Sequence, residues 1–172
     1  MEHLKTPLQH YFLDASALVK LVYDEPGSGK VKNLIKEPGS ISPTSWVLVA
    51  EALGALKKKW LGKGLGDEDY TGRVQELLIL ILILLQHNPI RPVDLEVVNG
   101  EARLKTYEVD IADVRGRHPS LDAADALQFR AIKEGILGCY AGKSKPQLVS
   151  ADGDLLTAAT KDNIPTISVC KD

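Results

Sequence analysis

The chain contains little cysteine. Cys139 and Cys170 stand 31 positions apart, outside any CxxC pattern, which argues against a disulfide framework and a zinc knuckle. The four histidines, His3, His10, His87 and His118, are scattered without metal-ligand spacing, so no histidine-based zinc centre is expected. Long hydrophobic runs are also missing. The longest, Leu77 to Leu85, has nine residues, against the roughly 20 needed to cross a bilayer, and Arg73, Glu76, His87 and Arg91 flank it closely. Neither sign of charge dominates: 21 Lys+Arg oppose 23 Asp+Glu, a formal −2. That balance disfavours a passive polycationic nucleic-acid binder and an acidic disordered tail. Repeats, low-complexity segments and a linker-like stretch are absent, and residues 1–10 lack the charged-then-apolar pattern of a signal peptide. The expectation is a reduced, cytoplasmic protein with no membrane association.

What is present is enough apolar material for one core. The 172 residues are 44% hydrophobic and 26% charged, which suits a single domain over 1–172 with residues 1–9 as an N-terminal extension. Short apolar runs predict strands at Tyr11–Leu13, near Ser40–Ile41, and at Ile90–Val93, Gln147–Ser150 and Thr166–Val169. Between them, periodic segments predict helices over Ser16–Tyr23, from Val31, from Thr44 or Ser45 to Trp60, and over Glu68–His87, Leu95–Asp110, Leu121–Glu134 and Leu155–Thr160. Short buried strands alternating with helices imply an α/β fold, a mostly parallel sheet with helices on both faces.

In such sheets ligands bind beyond the carboxyl ends of the strands. The polar residues expected there are acids. Asp14 follows the first strand, Glu51 lies on the helix after the second, and Asp152 follows the Gln147–Ser150 strand. Asp122 and Asp125, three apart, share one face of a helix. Each has an ordinary alternative role as a cap or a dipole partner. Glu51 and Asp125, however, sit in small apolar surroundings (VLVAEALGAL and AADAL), where an unpartnered charge is expensive. Two carboxylates about 4 Å apart repel by roughly 4 kcal/mol at an effective dielectric near 20. Converging acids therefore call for a divalent cation, and an all-oxygen set suits Mg²⁺ or Mn²⁺.

Residues Tyr11–Lys20 (YFLDASALVK) followed by Asp24–Ser28 (DEPGS) resemble the opening of a PIN domain of the VapC toxin type. Ala50-Glu51-Ala52, Ser120–Leu127 (SLDAADAL) and Val149–Asp152 (VSAD) follow in the family's order. The resemblance spans about residues 10 to 170 and implies a three-layer PIN-like fold. It also implies a metal-dependent endoribonuclease, commonly the toxin of a type II toxin–antitoxin pair, leaving a 5′-phosphate and a 3′-hydroxyl. Carried over by position, Asp14, Glu51, Asp125 and Asp152 would be the catalytic, metal-binding acids for one or two Mg²⁺ or Mn²⁺, with Asp122 as an extra acid. Ser16 would support the site. Ala151 stands where the family often has Thr, leaving Ser150 to supply a hydroxyl, and the stretch Gly135–Pro146 is longer than the family's usual link.

An acidic cleft repels RNA, so cations must hold the backbone around it. Candidates are Lys57, Lys58, Lys59, Arg115, Arg117 and Lys143, with Lys20, Lys63, Arg130 and Lys145 behind them; each is equally readable as a solvated surface charge. Trp60 beside the three lysines either stacks a base or packs at its helix end. The run Leu77–Leu85 cannot face one core all round. It is either a buried helix or a surface for a homodimer or an antitoxin's helix, as the resemblance implies. Gly27-Ser28-Gly29-Lys30 hints at a P-loop, but Val31 replaces the required Ser or Thr. Rival functions are a phosphoryl-transfer or receiver domain, and a catalytically silent or RNA-processing PIN-like module that binds RNA or a protein partner.

Overall fold

The computed structural model describes residues 9–36, 39–43, 46–62, 65–87, 95–98, 101–104, 113–134 and 147–171. Strand β1 (Gln9–Leu13) leads into helices α1 (Ala15–Val22) and α2 (Ser28–Leu34), then strand β2 (Gly39–Pro43). Helices α3 (Trp46–Leu61) and α4 (Asp67–His87) precede a hairpin, β3 (Leu95–Val98) and β4 (Glu101–Leu104). The short helix α5 (113–117), α6 (Ala123–Glu134), β5 (Gln147–Ser150), α7 (Gly153–Lys161) and β6 (Thr166–Ser168) follow.

The main sheet is four-stranded, ordered β2-β1-β5-β6, and every pairing in it is parallel. The chain is mixed α/β. From β1 it steps outward on one side to β2, and after a long excursion it returns to β1's other side as β5. The order thus reverses between β1 and β5, where Leu13 is paired with Val149. That reversal opens a crevice at the strands' carboxyl ends.

Period-two alternation sends neighbouring strand residues to opposite faces. Tyr11, Leu13 and Val149 join one core with residues of α1, α2, α3 and α4. Phe12 and Leu148 join a second with Val114, Leu121 and residues of α6 and α7. Helices therefore cover both faces of the sheet. Pro43 ends β2, which lies at the edge of the four-stranded sheet, a place where proline is tolerated.

Local chemistry sets the boundaries. The Asp14 carboxylate caps α1, accepting from the amides of Ala15 and Ser16. Gly27 precedes α2 with φ +89°, and a Cβ there would lie 1.9 Å from the Val169 carbonyl oxygen. Only glycine fits both the dihedral and the space. Along α4, Leu77, Ile81 and Leu84 are buried, while Leu78, Ile79, Leu82 and Ile83 are between 40% and 59% exposed. The aliphatic run thus splits into a core face and an outward stripe at helical spacing. Among the described residues no helix is long and apolar enough to cross a membrane.

The helix expected over Leu95–Asp110 is not formed at its start. Leu95–Val98 and Glu101–Leu104 instead pair as antiparallel strands, with Val98 opposite Glu101. Leu95-Glu96-Val97-Val98 carries β-branched residues, and the two joining positions are Asn99-Gly100, the strongest short hairpin signal. Turn chemistry outweighed the helical periodicity. The strand expected at Ile90–Val93, residues 105–110 and most of the N-terminal extension lie outside the described residues.

Candidate functional site

The crevice between β1 and β5 is organised around Asp14, only 4% exposed. Its Oδ1 accepts from the Ala15 amide at 2.6 Å. Its Oδ2 accepts from the Ser16 amide at 3.2 Å, the Ser16 hydroxyl at 2.5 Å and the Ser150 hydroxyl at 2.9 Å. Each serine is itself gripped from β5's end. The Ala151 amide donates to Ser16 Oγ and the Asp152 amide to Ser150 Oγ, both at 2.8 Å. Two parallel relays, amide to hydroxyl to carboxylate, therefore tie β5 to β1 and the start of α1. Asp152 caps α7, its Oδ1 accepting from the Leu155 amide at 2.8 Å.

A second group of acids lies beside this keystone. Oxygens of Glu51, Asp122 and Asp125 lie within 4.8 Å of one another. Asp122 is exposed and caps α6, accepting from the amides of Ala124 and Asp125 at 2.8 and 2.9 Å. Glu51 and Asp125 are half-buried. Burial and the charges of Asp14, Asp125 and Asp122 push the Glu51 carboxyl from its ordinary 4.5 up to about 7, against a lowering hydrogen bond from Gln128. Burial and the charges of Asp122, Asp152 and Asp14 push Asp125 from 3.8 up to about 7. Only hydrogen bonds oppose these shifts, a weak counterweight to several like charges in a half-dry site.

All five expected acids thus act on one region, with unequal roles. Glu51, Asp122 and Asp125 converge, whereas the Asp14 carboxylate already has four hydrogen-bond donors. Ser16 and Ser150 both support Asp14. Gln128, absent from the sequence-based set, is fully buried and donates through Nε2 to Glu51 Oε2 at 2.7 Å. Its signal in the sequence was a polar residue flanked by Leu127 and Phe129, one helical turn beyond Asp125.

The candidate cations are distributed differently. Lys57, Lys58 and Arg115 are exposed. Lys59 pairs with Glu25 and sits 4.7 Å over the Tyr23 ring. Lys20 is buried, donating to Glu25 at 2.9 Å and to the Pro26 carbonyl at 2.7 Å. Arg117 pairs with Asp113 at 2.6 Å and Asp162 at 3.4 Å, and Arg130 is half-buried. Lys63, Lys143 and Lys145 lie outside the described residues. Trp60 stacks on Tyr70, centroids 4.9 Å apart, and donates through Nε1 to Asp67. Those contacts favour its packing role at the α3–α4 corner over base stacking.

No family model matches the chain, and no curated protein matches it. The donor set nevertheless fits a hard divalent cation. It is all oxygen, partly exposed for entry, and Glu51 and Asp125 are driven up by burial and then by neighbouring negative charges, which a cation would offset.

Proposed function

We propose that this chain is a metal-dependent endoribonuclease with a PIN-like fold, acting as the toxin of a toxin–antitoxin pair. One observation carries the reading. Glu51 from α3 and Asp122 and Asp125 from the start of α6 converge, and the charges of Asp14 at β1's end and Asp152 beyond β5 act on them, beside the place where the parallel sheet reverses its strand order.

In this reading Glu51, Asp122 and Asp125 hold Mg²⁺ or Mn²⁺. The bound ion supplies Lewis-acid polarisation of a phosphodiester and a more acidic water. Asp14, Ser16 and Ser150 fix the crevice floor, and Asp152 adds negative potential from the facing helix end. Burial and neighbouring charges raise the Glu51 and Asp125 carboxyls to about 7, and both must be ionised to ligate, so cation affinity rises with pH through that range. Of the candidate cations, Lys57, Lys58 and Arg115 are exposed and available to RNA phosphates. The outward apolar stripe of α4 is the surface for a second copy or an antitoxin helix.

The test is cleavage of single-stranded and structured RNA with Mg²⁺ or Mn²⁺, with and without EDTA. Asp125→Asn and Glu51→Gln are expected to abolish cleavage, as EDTA does. Cleavage undiminished in both variants overturns the assignment. Metal and RNA binding without cleavage points to the silent module instead.

A further inference from the structure

A primary amide buried without partners is costly, and leucine at such a position costs nothing comparable. Gln128 is 0% exposed, so its polarity has to be matched inside the protein. Its Nε2 reaches Glu51, 77 positions earlier in the chain, at 2.7 Å. The bond joins α6 to α3, the two helices that bring Glu51 to Asp122 and Asp125.

Asp122, Asp125 and Gln128 recur every third residue, which sets them along one side of α6. The acids stand at its start and the amide one turn further in. The amide engages Glu51 Oε2, and Oε1 is the oxygen it leaves for another partner. A lysine or arginine there would also hold the carboxylate, but its charge would fill the role of the cation. An amide is a neutral donor, so it orients Glu51 and leaves the negative charge of the group in force.

We infer that Gln128 is a positioning residue, clamping Glu51 in the orientation in which it binds a divalent cation together with Asp122 and Asp125. The inference rests on the metal-binding reading above. Partners that orient metal ligands typically change affinity by about 10–100-fold when removed, and that is the effect expected here.

The experiment is a Mn²⁺ titration of the full chain, followed by the electron paramagnetic resonance of free Mn²⁺. Gln128→Met, of similar length but lacking the donor, is expected to weaken binding by about tenfold or more. Ile132→Val, a buried α6 substitution away from the acids, serves as the stability control and is expected to bind like the wild type. Should Gln128→Met fail to fold, the Gln128 side-chain amide resonances of the wild type decide. They are expected to shift on adding Mg²⁺, and unmoved resonances overturn the inference. Wild-type affinity in a folded Gln128→Met chain, or equal weakening in Ile132→Val, overturns it and leaves the metal reading standing. No Mn²⁺ binding by the wild type removes both.

Discussion

Replacing Glu51 by glutamine removes a charge and preserves the shape of the side chain. The folded-state carboxyl titrates at about 7, against an ordinary 4.5. Below 4.5 both folded and unfolded chains keep the proton. Between 4.5 and 7 the unfolded chain sheds it more readily, so stability falls as pH rises, and above 7 the full penalty of an ionised Glu51 applies. Each tenfold change in proton affinity is worth about 1.4 kcal/mol. Glu51 is only half-buried, and solvent screening reduces the penalty to about 1–2 kcal/mol. Glu51→Gln is therefore expected to be more stable than the wild type at pH 8 in EDTA. For a chain of this size that raises the melting temperature by about 2–8 °C. The gap should nearly close at pH 4.5. Added Mg²⁺ should close it again at pH 8, by stabilising the wild type alone. Thermal melts of both proteins at the two pH values measure this. A variant no more stable than the wild type at pH 8, or a difference independent of pH, would refute the account of a buried Glu51 charge repelled by its acidic neighbours.

Two further substitutions probe the frame that holds the site. Burial pushes the Glu25 carboxyl up, but hydrogen bonds from Lys59 and Lys20 outweigh it and hold it below its ordinary 4.5. Glu25→Ala strands the buried Lys20 ammonium and should cost about 2–4 kcal/mol at pH 7. Because this stability is lost as pH falls below 4.5, the difference from wild type in urea denaturation should narrow at pH 3; an unchanged midpoint at pH 7 would contradict it. Gly27→Ala forces both a left-handed dihedral on a residue with a Cβ and a collision with the Val169 carbonyl. A loss of at least about 3 kcal/mol is expected, and a soluble variant with wild-type melting would show that the turn relaxes freely.

Local chemistry made some of this molecule legible. The apolar YFL run ending at Asp14 and the LVS run ending at Ser150 carry enough information to predict two strand ends, though not that they lie side by side. The i, i+3 spacing put Asp122 beside Asp125, and the split of the nine-residue aliphatic run followed from helical geometry alone. A helix is expected over Leu95–Asp110, yet Leu95–Val98 and Glu101–Leu104 pair as antiparallel strands with Asn99-Gly100 between them in sequence, a local signal stronger than the helical pattern. Other features needed the third dimension. Asp14 reads as a ligand in sequence, yet one of the donors that surround it belongs to Ser150, 136 positions away. Gln128 reads as one more polar helix residue until α3 is known to lie against α6. Pairings of this kind depend on topology, and no local pattern encodes them.

The strand order has a consequence for how the protein comes into being. Asp14 is synthesised early, whereas Ser150 emerges after 135 further residues, at the end of a strand that must insert beside β1. Until β5 and the residues after it leave the ribosome, both relays to Asp14 are missing and the crevice has a single wall. Acids on β1, α3 and α6 can all be made, and even locally folded, without the site existing. Assembly waits on the last portion of the sheet, so a stalled or truncated chain ending before β5 would carry Glu51, Asp122 and Asp125 without the frame around Asp14.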